Sequence, residues 1–213
     1  MALATYSDLK TSIANWLHRD DLTAIIPDFI VLCESRLNRL LNLNKMEAET
    51  TLTMTPASRY VPYPADMSSP IALWVETYKP RQRINYVPPT ELPVASNISA
   101  IPQYFTIDGS NLAFDMLADQ AHVLTFRYNQ QLSLSDVVTT NAILQEYPDL
   151  YLYGSLLEAA PFIKDTEIVG LWQAKFSNAL QEVNDNEGRT QALSMLATEI
   201  KPRGSRFNIN RGY

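Results

Sequence analysis

At 213 residues, 46% hydrophobic and 19% charged, the chain is long enough to bury roughly 70% of its unfolded surface in one medium body. This excludes a largely disordered polymer and leaves no need for a metal or disulfide framework, and the single cysteine, Cys33, rules out an intrachain disulfide or a thiolate cluster. Lys201, Arg203, Arg206 and Arg211 stand in the last thirteen residues with no acid among them, so the first 200 residues hold 13 bases against 23 acids, a net of −10; an acidic body does not seek phosphates, and sequence-reading DNA binding is not expected.

The first ten residues, MALATYSDLK, lack the basic segment and apolar core of a secretory signal. No apolar run approaches the ~20 residues of a membrane span, so the chain reads as soluble. Tyr6, Leu9, Ile13, Trp16 and Leu17 recur at helical spacing, and Thr5 with Asp8 forms a capping-box pattern. After a turn over His18 to Asp21, Pro27 suits a first helical position and Asp28 a helix start. Phe29, Ile30, Cys33, Leu37, Leu40 and Leu41 then continue an apolar stripe. Two helices so joined are expected to pack antiparallel.

From Glu49 to Ser133 the pattern changes. Nine of the thirteen prolines fall here, which excludes helix, and period-two alternation replaces the helical period. Leu124, Phe126 and Tyr128 take one face and Val123, Thr125 and Arg127 the other. Phe105 and Ile107, the stretch Asp108-Gly109-Ser110-Asn111, then Leu112 and Phe114 predict a hairpin whose turn uses residues that tolerate positive φ. Further strands are expected at Thr51 to Met54, Ile71 to Val75 and Arg83 to Val87, together a small antiparallel sandwich or open barrel.

The helical period returns from Asn141. Pro148 and Asp149 open a segment with Leu152, Leu156, Ala159 and Ala160 toward a core, and Pro161 marks where it should bend or stop. Asp165 is a suitable N-cap for a last long helix, with Glu167 in its first turn. Its stripe is Ile168, Leu171, Trp172, Phe176, Ala179, Leu180 and Val183, and its expected end lies near Gly188. A weaker helical stretch, Thr190 to Glu199, precedes a tail whose Pro202, Gly204 and Gly212 argue against regular structure. The expected class is α+β: an antiparallel helical bundle of two N-terminal and two C-terminal helices, an inserted small antiparallel β module and an extended C-terminal tail. The corresponding boundaries are 1–48, 49–135, 136–198 and 199–213.

Three stretches resemble one family. The first runs from Arg19-Asp20-Asp21-Leu22 through Ile26-Pro27-Asp28-Phe29-Ile30 to Glu34-Ser35-Arg36-Leu37-Asn38-Arg39. The second is Ile101-Pro102-Gln103-Tyr104-Phe105-Thr106-Ile107-Asp108-Gly109, leading into Leu124-Thr125-Phe126-Arg127-Tyr128 and Leu132-Ser133. The third, the most telling, is Tyr147-Pro148-Asp149-Leu150-Tyr151-Leu152-Tyr153-Gly154-Ser155-Leu156-Leu157-Glu158-Ala159-Ala160-Pro161-Phe162, followed by Trp172. In family order they resemble the head-to-tail adaptor, or connector, proteins of short-tailed and related tailed bacteriophages. The resemblance implies a non-enzymatic virion protein of the neck, assembled in the host cytoplasm. It implies a twelve-fold homo-oligomeric ring between the portal protein and the tail nozzle or other tail proteins, with double-stranded DNA passing through its channel without sequence-specific binding.

No catalytic, metal or cofactor site is expected. His18 and His122 are the only histidines and lack ligand spacing, Gly154-Ser155 lacks the GxSxG elbow and reads as small residues for close helix contact, and Cys33 on an apolar stripe reads as a buried thiol. No Gly-rich phosphate cradle is present in the sequence. Trp172 and Phe176 are expected in the core. Tyr147, Tyr151 and Tyr153 cannot all face one interior, because 151 and 153 lie about 200° apart on a helix. In the tail, Phe207, Ile209 and Tyr213 are interleaved with Arg206, Asn208 and Arg211. The pattern alone fits a solvated terminus as well as a contact; the resemblance implies that the partner-binding residues lie there, Arg203, Arg206 and Arg211 on acidic surfaces of a neighbour or the portal and Phe207 and Tyr213 in pockets. Two competing readings are a tail or baseplate binding module, separable by whether the protein binds portal rings or a cell-surface ligand, and a small hydrolase, which would need a polar cluster around a pocket.

Overall fold

The computed structural model describes residues 3–41, 43–164 and 166–199. Two helices open the chain, α1 (Tyr6–Leu17) and α2 (Ile26–Leu40). At the start of α1 the capping box forms, with the Asp8 N–H donating to Thr5 Oγ1 at 3.2 Å and the Thr5 N–H donating to Asp8 Oδ2 at 3.2 Å. Thr5→Ala leaves a first-turn N–H without its acceptor and is expected to cost about 1 kcal/mol, read as a shift in the urea midpoint. α1 buries Tyr6, Leu9 and Ile13 and ends at His18 in the left-handed region, φ +50°. α2 begins one residue before Pro27 and buries Phe29, Ile30, Cys33, Glu34 and Leu37, while Leu40 is exposed.

Three more helices close the described chain: α3 (Ala142–Glu146), α4 (Pro148–Ile163) and α5 (Thr166–Glu199). α4 is apolar around most of its circumference. Leu150, Tyr151, Leu152, Gly154, Ser155, Leu156, Leu157, Ala159 and Ala160 are all buried, the signature of a helix surrounded by others. Accordingly α1, α2 and α5 each pack on α4, and side chains from all of them share one apolar cluster. Arg36 Nη2 meets Glu158 Oε1 at 2.5 Å and ties α2 to α4. Pro161 sits in the last turn, and the helix stops two residues later, before Lys164 at φ +59°. The expected Asp165 cap lies outside the described residues. The expected end of the last helix near Gly188 is corrected: α5 continues without a break to Glu199. An interior glycine costs only about 1 kcal/mol relative to alanine, and no proline intervenes before Pro202, so nothing at Gly188 is strong enough to stop the helix.

Between the helices the described residues form nine strands: β1 (Glu47–Thr53), β2 (Tyr60–Pro62), β3 (Met67–Val75), β4 (Gln82–Tyr86), β5 (Ala95–Ser99), β6 (Tyr104–Asp108), β7 (Asn111–Phe114), β8 (Met116–Leu117) and β9 (Val123–Gln130). Seven make one sheet in the order β1-β9-β3-β4-β6-β7-β2, and β5 and β8 pair separately. The β9 alternation is as its sequence predicts, with Leu124, Phe126 and Tyr128 buried toward a second apolar cluster. The β6–β7 hairpin is also as predicted: Asp108 pairs with Asn111, and Gly109 takes φ +57° at the first of two loop positions, where a type II′ turn needs it.

The α+β class holds, but the small antiparallel module is corrected. The sheet is the dominant element and it is mixed, since β4 pairs parallel to β6 and β5 parallel to β8. A parallel pair needs a connection of a dozen or more residues, and the stretch 87–103 between β4 and β6 supplies it. Pro88, Pro89, Pro93 and Pro102 keep that stretch from becoming a crossover helix.

The segment linking β9 to α3 is bound to both N-terminal helices. Asn38 on α2 accepts from the Leu132 N–H at 2.7 Å and donates to the Leu132 carbonyl at 3.0 Å. The Tyr6 N–H donates to the Thr139 carbonyl at 2.7 Å, and Lys10 pairs with Asp136 at 2.8 Å.

Candidate functional site

His122 and Cys33 are both fully buried. His122 stands immediately before β9, with Nε2 2.6 Å from Asp119 Oδ1 and Nδ1 3.0 Å from Thr77 Oγ1. Burial pushes the Cys33 thiol up to about 12, far from a nucleophile's range. Gly154 is where α4 meets α2 and α5: a Cβ there would stand 2.4 Å from Cys33 Sγ and 3.1 Å from Phe176 Cε2. The expected close helix contact is present. Among the described residues no group of three or more His, Cys, Asp or Glu could hold a metal ion, and no helix is long and apolar enough to cross a membrane.

One perturbed carboxyl escaped sequence reasoning. Glu34 on α2 is 5% exposed, accepts a hydrogen bond from Tyr151 Oη at 3.3 Å, and Tyr151 Oη in turn accepts from Asn141 Nδ2 at 2.7 Å. Asn141 also caps α3, its Oδ1 accepting from the Leu144 N–H at 2.8 Å. Desolvation raises Glu34 to about 7, partly countered by hydrogen bonds from Tyr151 and the Leu134 backbone. The signal was there: with Ile30, Cys33 and Leu37, Glu34 completes an i, i+3, i+4, i+7 face, so an acid stands inside the apolar stripe. The network joins α2, α3 and α4 at the segment leaving the sheet.

The surface carries large apolar groups. Trp16, expected in the α1 stripe, is 48% exposed. It contacts Trp172 edge-on with centroids 5.4 Å apart and Tyr153 at 6.5 Å, while Tyr153 and Trp172 stack at 6.0 Å. Tyr151 is fully buried and Tyr153 partly exposed, as their angular separation requires. Of the two residues expected in the core, Phe176 is buried and Trp172 only partly so. Leu171 and Ile168 on α5, and Val31 and Leu32 on α2, are exposed. Beside Trp16 a groove of about 360 Å³ runs past Leu3, Ser12, Asn15 and Leu152. A cleft of about 390 Å³, bordered by Lys45, Asp66, Gln130, Ser133, Thr140 and Asn141, lies where the sheet meets the helices. Aromatic and aliphatic groups at a surface are the composition of protein contacts. The expected partner-binding residues Arg203, Arg206, Phe207, Arg211 and Tyr213 lie outside the described residues.

What these residues display is contact area on an α+β frame. The chain belongs to the SU10 adaptor protein family, whose model matches residues 4–198; it is a phage adaptor protein. That span takes in all three stretches that carry the resemblance to head-to-tail adaptors. No curated protein matches the chain.

Proposed function

We propose that this chain is a non-enzymatic head-to-tail adaptor that forms a twelve-fold ring in the virion neck, between the portal protein and the tail nozzle or other tail proteins. The family match over residues 4–198 carries this reading. The exposed Trp16, Leu171, Val31 and Leu32 supply helical faces on which a neighbouring copy can pack. Lateral contacts of modest strength become a stable collar once the portal presents its binding sites in a ring, because every copy held there raises the effective concentration of the next. Arg203, Arg206 and Arg211 reach acidic surfaces of a neighbour or of the portal, and Phe207 and Tyr213 anchor in pockets. Double-stranded DNA passes through the channel without base readout, and an acidic wall repels its phosphates.

Electron microscopy of the full chain mixed with its own portal rings tests the proposal: the expected image is an added ring on the tail-facing side. Protein that stays unbound, or that binds another part of the particle, refutes it. Deleting residues 201–213 is expected to abolish portal docking or ring closure; both steps proceeding unchanged would remove the tail from the mechanism.

A further inference from the structure

The seven-stranded sheet ends differently at its two edges. β2, at one edge, is three residues long and finishes on Pro62, which has no N–H to offer an incoming strand. β1, at the other, runs for seven residues with no proline, no lysine and an unbroken register against β9. Natural sheets usually blunt such an edge with those devices.

The β1 ladder fixes which backbone groups point outward. The Met54 N–H donates to the His122 carbonyl on the β9 side. In an antiparallel strand successive residues turn their N–H and C=O to opposite sides, so Leu52, Thr50 and Ala48 face β9. Glu49, Thr51 and Thr53 therefore present theirs to the open edge. Among the described residues no strand pairs with that side. The core face of β1 is also unfinished: Ala48 and Leu52 pack on the sheet cluster but remain partly exposed, whereas Leu124 and Phe126 of β9 are fully buried.

Residues 206–210, Arg-Phe-Asn-Ile-Asn, have the pattern that would complete it. With a period of two, Phe207 and Ile209 fall on one face; aligned parallel to β1 with Arg206 beside the exposed Glu49, Phe207 lies beside Thr50 and Ile209 beside Leu52 on the inward face. Glu47, on the same face as Glu49, is already paired with Arg127 at 2.5 Å. α5 carries the chain over 34 residues to Glu199 before the tail begins, a placement of the tail at the far end of a long helix that suits a second copy as the donor. Residues 201–213 then span at most about 45 Å. We propose that the open edge of β1 receives residues 206–210 of a second copy as an eighth strand. This rests on reading the basic tail as a contact between subunits, and it assigns that contact its seat and its geometry.

The probe is a synthetic peptide of residues 200–213 added to the full chain, with amide hydrogen exchange as readout. At saturation the amides of Glu49, Thr51 and Thr53 are expected to slow at least tenfold, and affinity to fall as salt rises. Thr51→Pro removes an outward N–H that makes no bond to β9, so the fold survives while peptide affinity drops tenfold or more. Arg206→Glu in the peptide should weaken binding comparably and asks nothing of the folded chain. Protection at other amides, with Thr51→Pro binding unchanged, overturns the β1 seat but keeps the tail as a contact. Protection of the edge in the dilute full chain before peptide is added overturns the second copy as donor. A peptide that does not bind, with portal docking still dependent on residues 201–213, also overturns the seat. Docking and ring closure indifferent to that deletion sink the underlying tail reading instead.

Discussion

Gly154→Ala is expected to destabilise the protein by about 2 kcal/mol, a fall of about 4–8 °C in melting temperature for a chain of this size. The sign is the informative part. In an exposed helix interior the same change stabilises by up to about 1 kcal/mol, because alanine orders at less conformational cost. Gly170 on α5 provides that control, since a Cβ there meets nothing within 4 Å. At Gly154 the added carbon would stand 2.4 Å from Cys33 Sγ and 3.1 Å from Phe176 Cε2, contacts that force α2 or α5 outward. Cys33→Ala removes the nearer obstacle. Alone it costs about 1 kcal/mol of lost packing, but in the Gly154→Ala background it should restore stability, giving a coupling of about 1–2 kcal/mol in a double-mutant cycle. Additive effects of the two substitutions would mean that the helices are not in contact at this point.

How much of this was visible beforehand depended on whether a signal was local. Thr5 and Asp8 sit three residues apart and settle their own geometry. The Gly109 turn and the alternation through Leu124, Phe126 and Tyr128 likewise need no distant information. A period of two states which face of β4 is buried, but not that its neighbour is β6 and parallel; that choice is made across the proline-rich stretch 87–103. The short strands β2 and β8 are set by their partners and carry no run long enough to announce them, while β5, as long as β4, reads Ala-Ser-Asn-Ile-Ser and lacks the β-branched and aromatic alternation of a strand. Trp16 satisfied the helical spacing and yet is half exposed, because it rests edge-on against Tyr153 and Trp172, neither of which covers it. The candidate contact residues came from the alternation of Phe207, Ile209 and Tyr213 with Arg206, Asn208 and Arg211 taken together with the family resemblance, and neither signal names a seat for them. Glu34 was legible in principle, as the one acid on an otherwise apolar face.

That acid gives the second large effect. Glu34→Gln is expected to make the protein more stable than the wild type by about 2–3 kcal/mol at pH 8, and to leave the two nearly equal near pH 4.5. Burial raises the folded-state value from the usual 4.5 to about 7. Below 4.5 the carboxyl is protonated in folded and unfolded chains alike, so no charge is buried. As pH climbs, the unfolded chain releases its proton first while the folded chain still holds it, and stability declines until the folded carboxyl ionises near 7. Above that both states are charged and the loss is complete and constant. A shift of this size corresponds to about 3 kcal/mol at most, reduced by whatever solvent reaches the group. The substituted amide keeps an oxygen to accept from Tyr151 but never becomes an anion. Urea midpoints for both proteins across pH 4 to 8 isolate the effect, because every other carboxylate titrates in both and cancels in the difference. Parallel curves would show that Glu34 is not ionising inside the helical cluster. The loss is expected to appear first where the network is anchored. The Leu132 amide, held by Asn38 Oδ1 at 2.7 Å one turn along α2 from Glu34, should exchange faster in the wild type than in Glu34→Gln at pH 8. The same amide should exchange alike in both at pH 4.5. A difference confined to that region would place the ionisation penalty on the segment that couples the sheet to the helices, the part of the fold through which strain at either would have to pass.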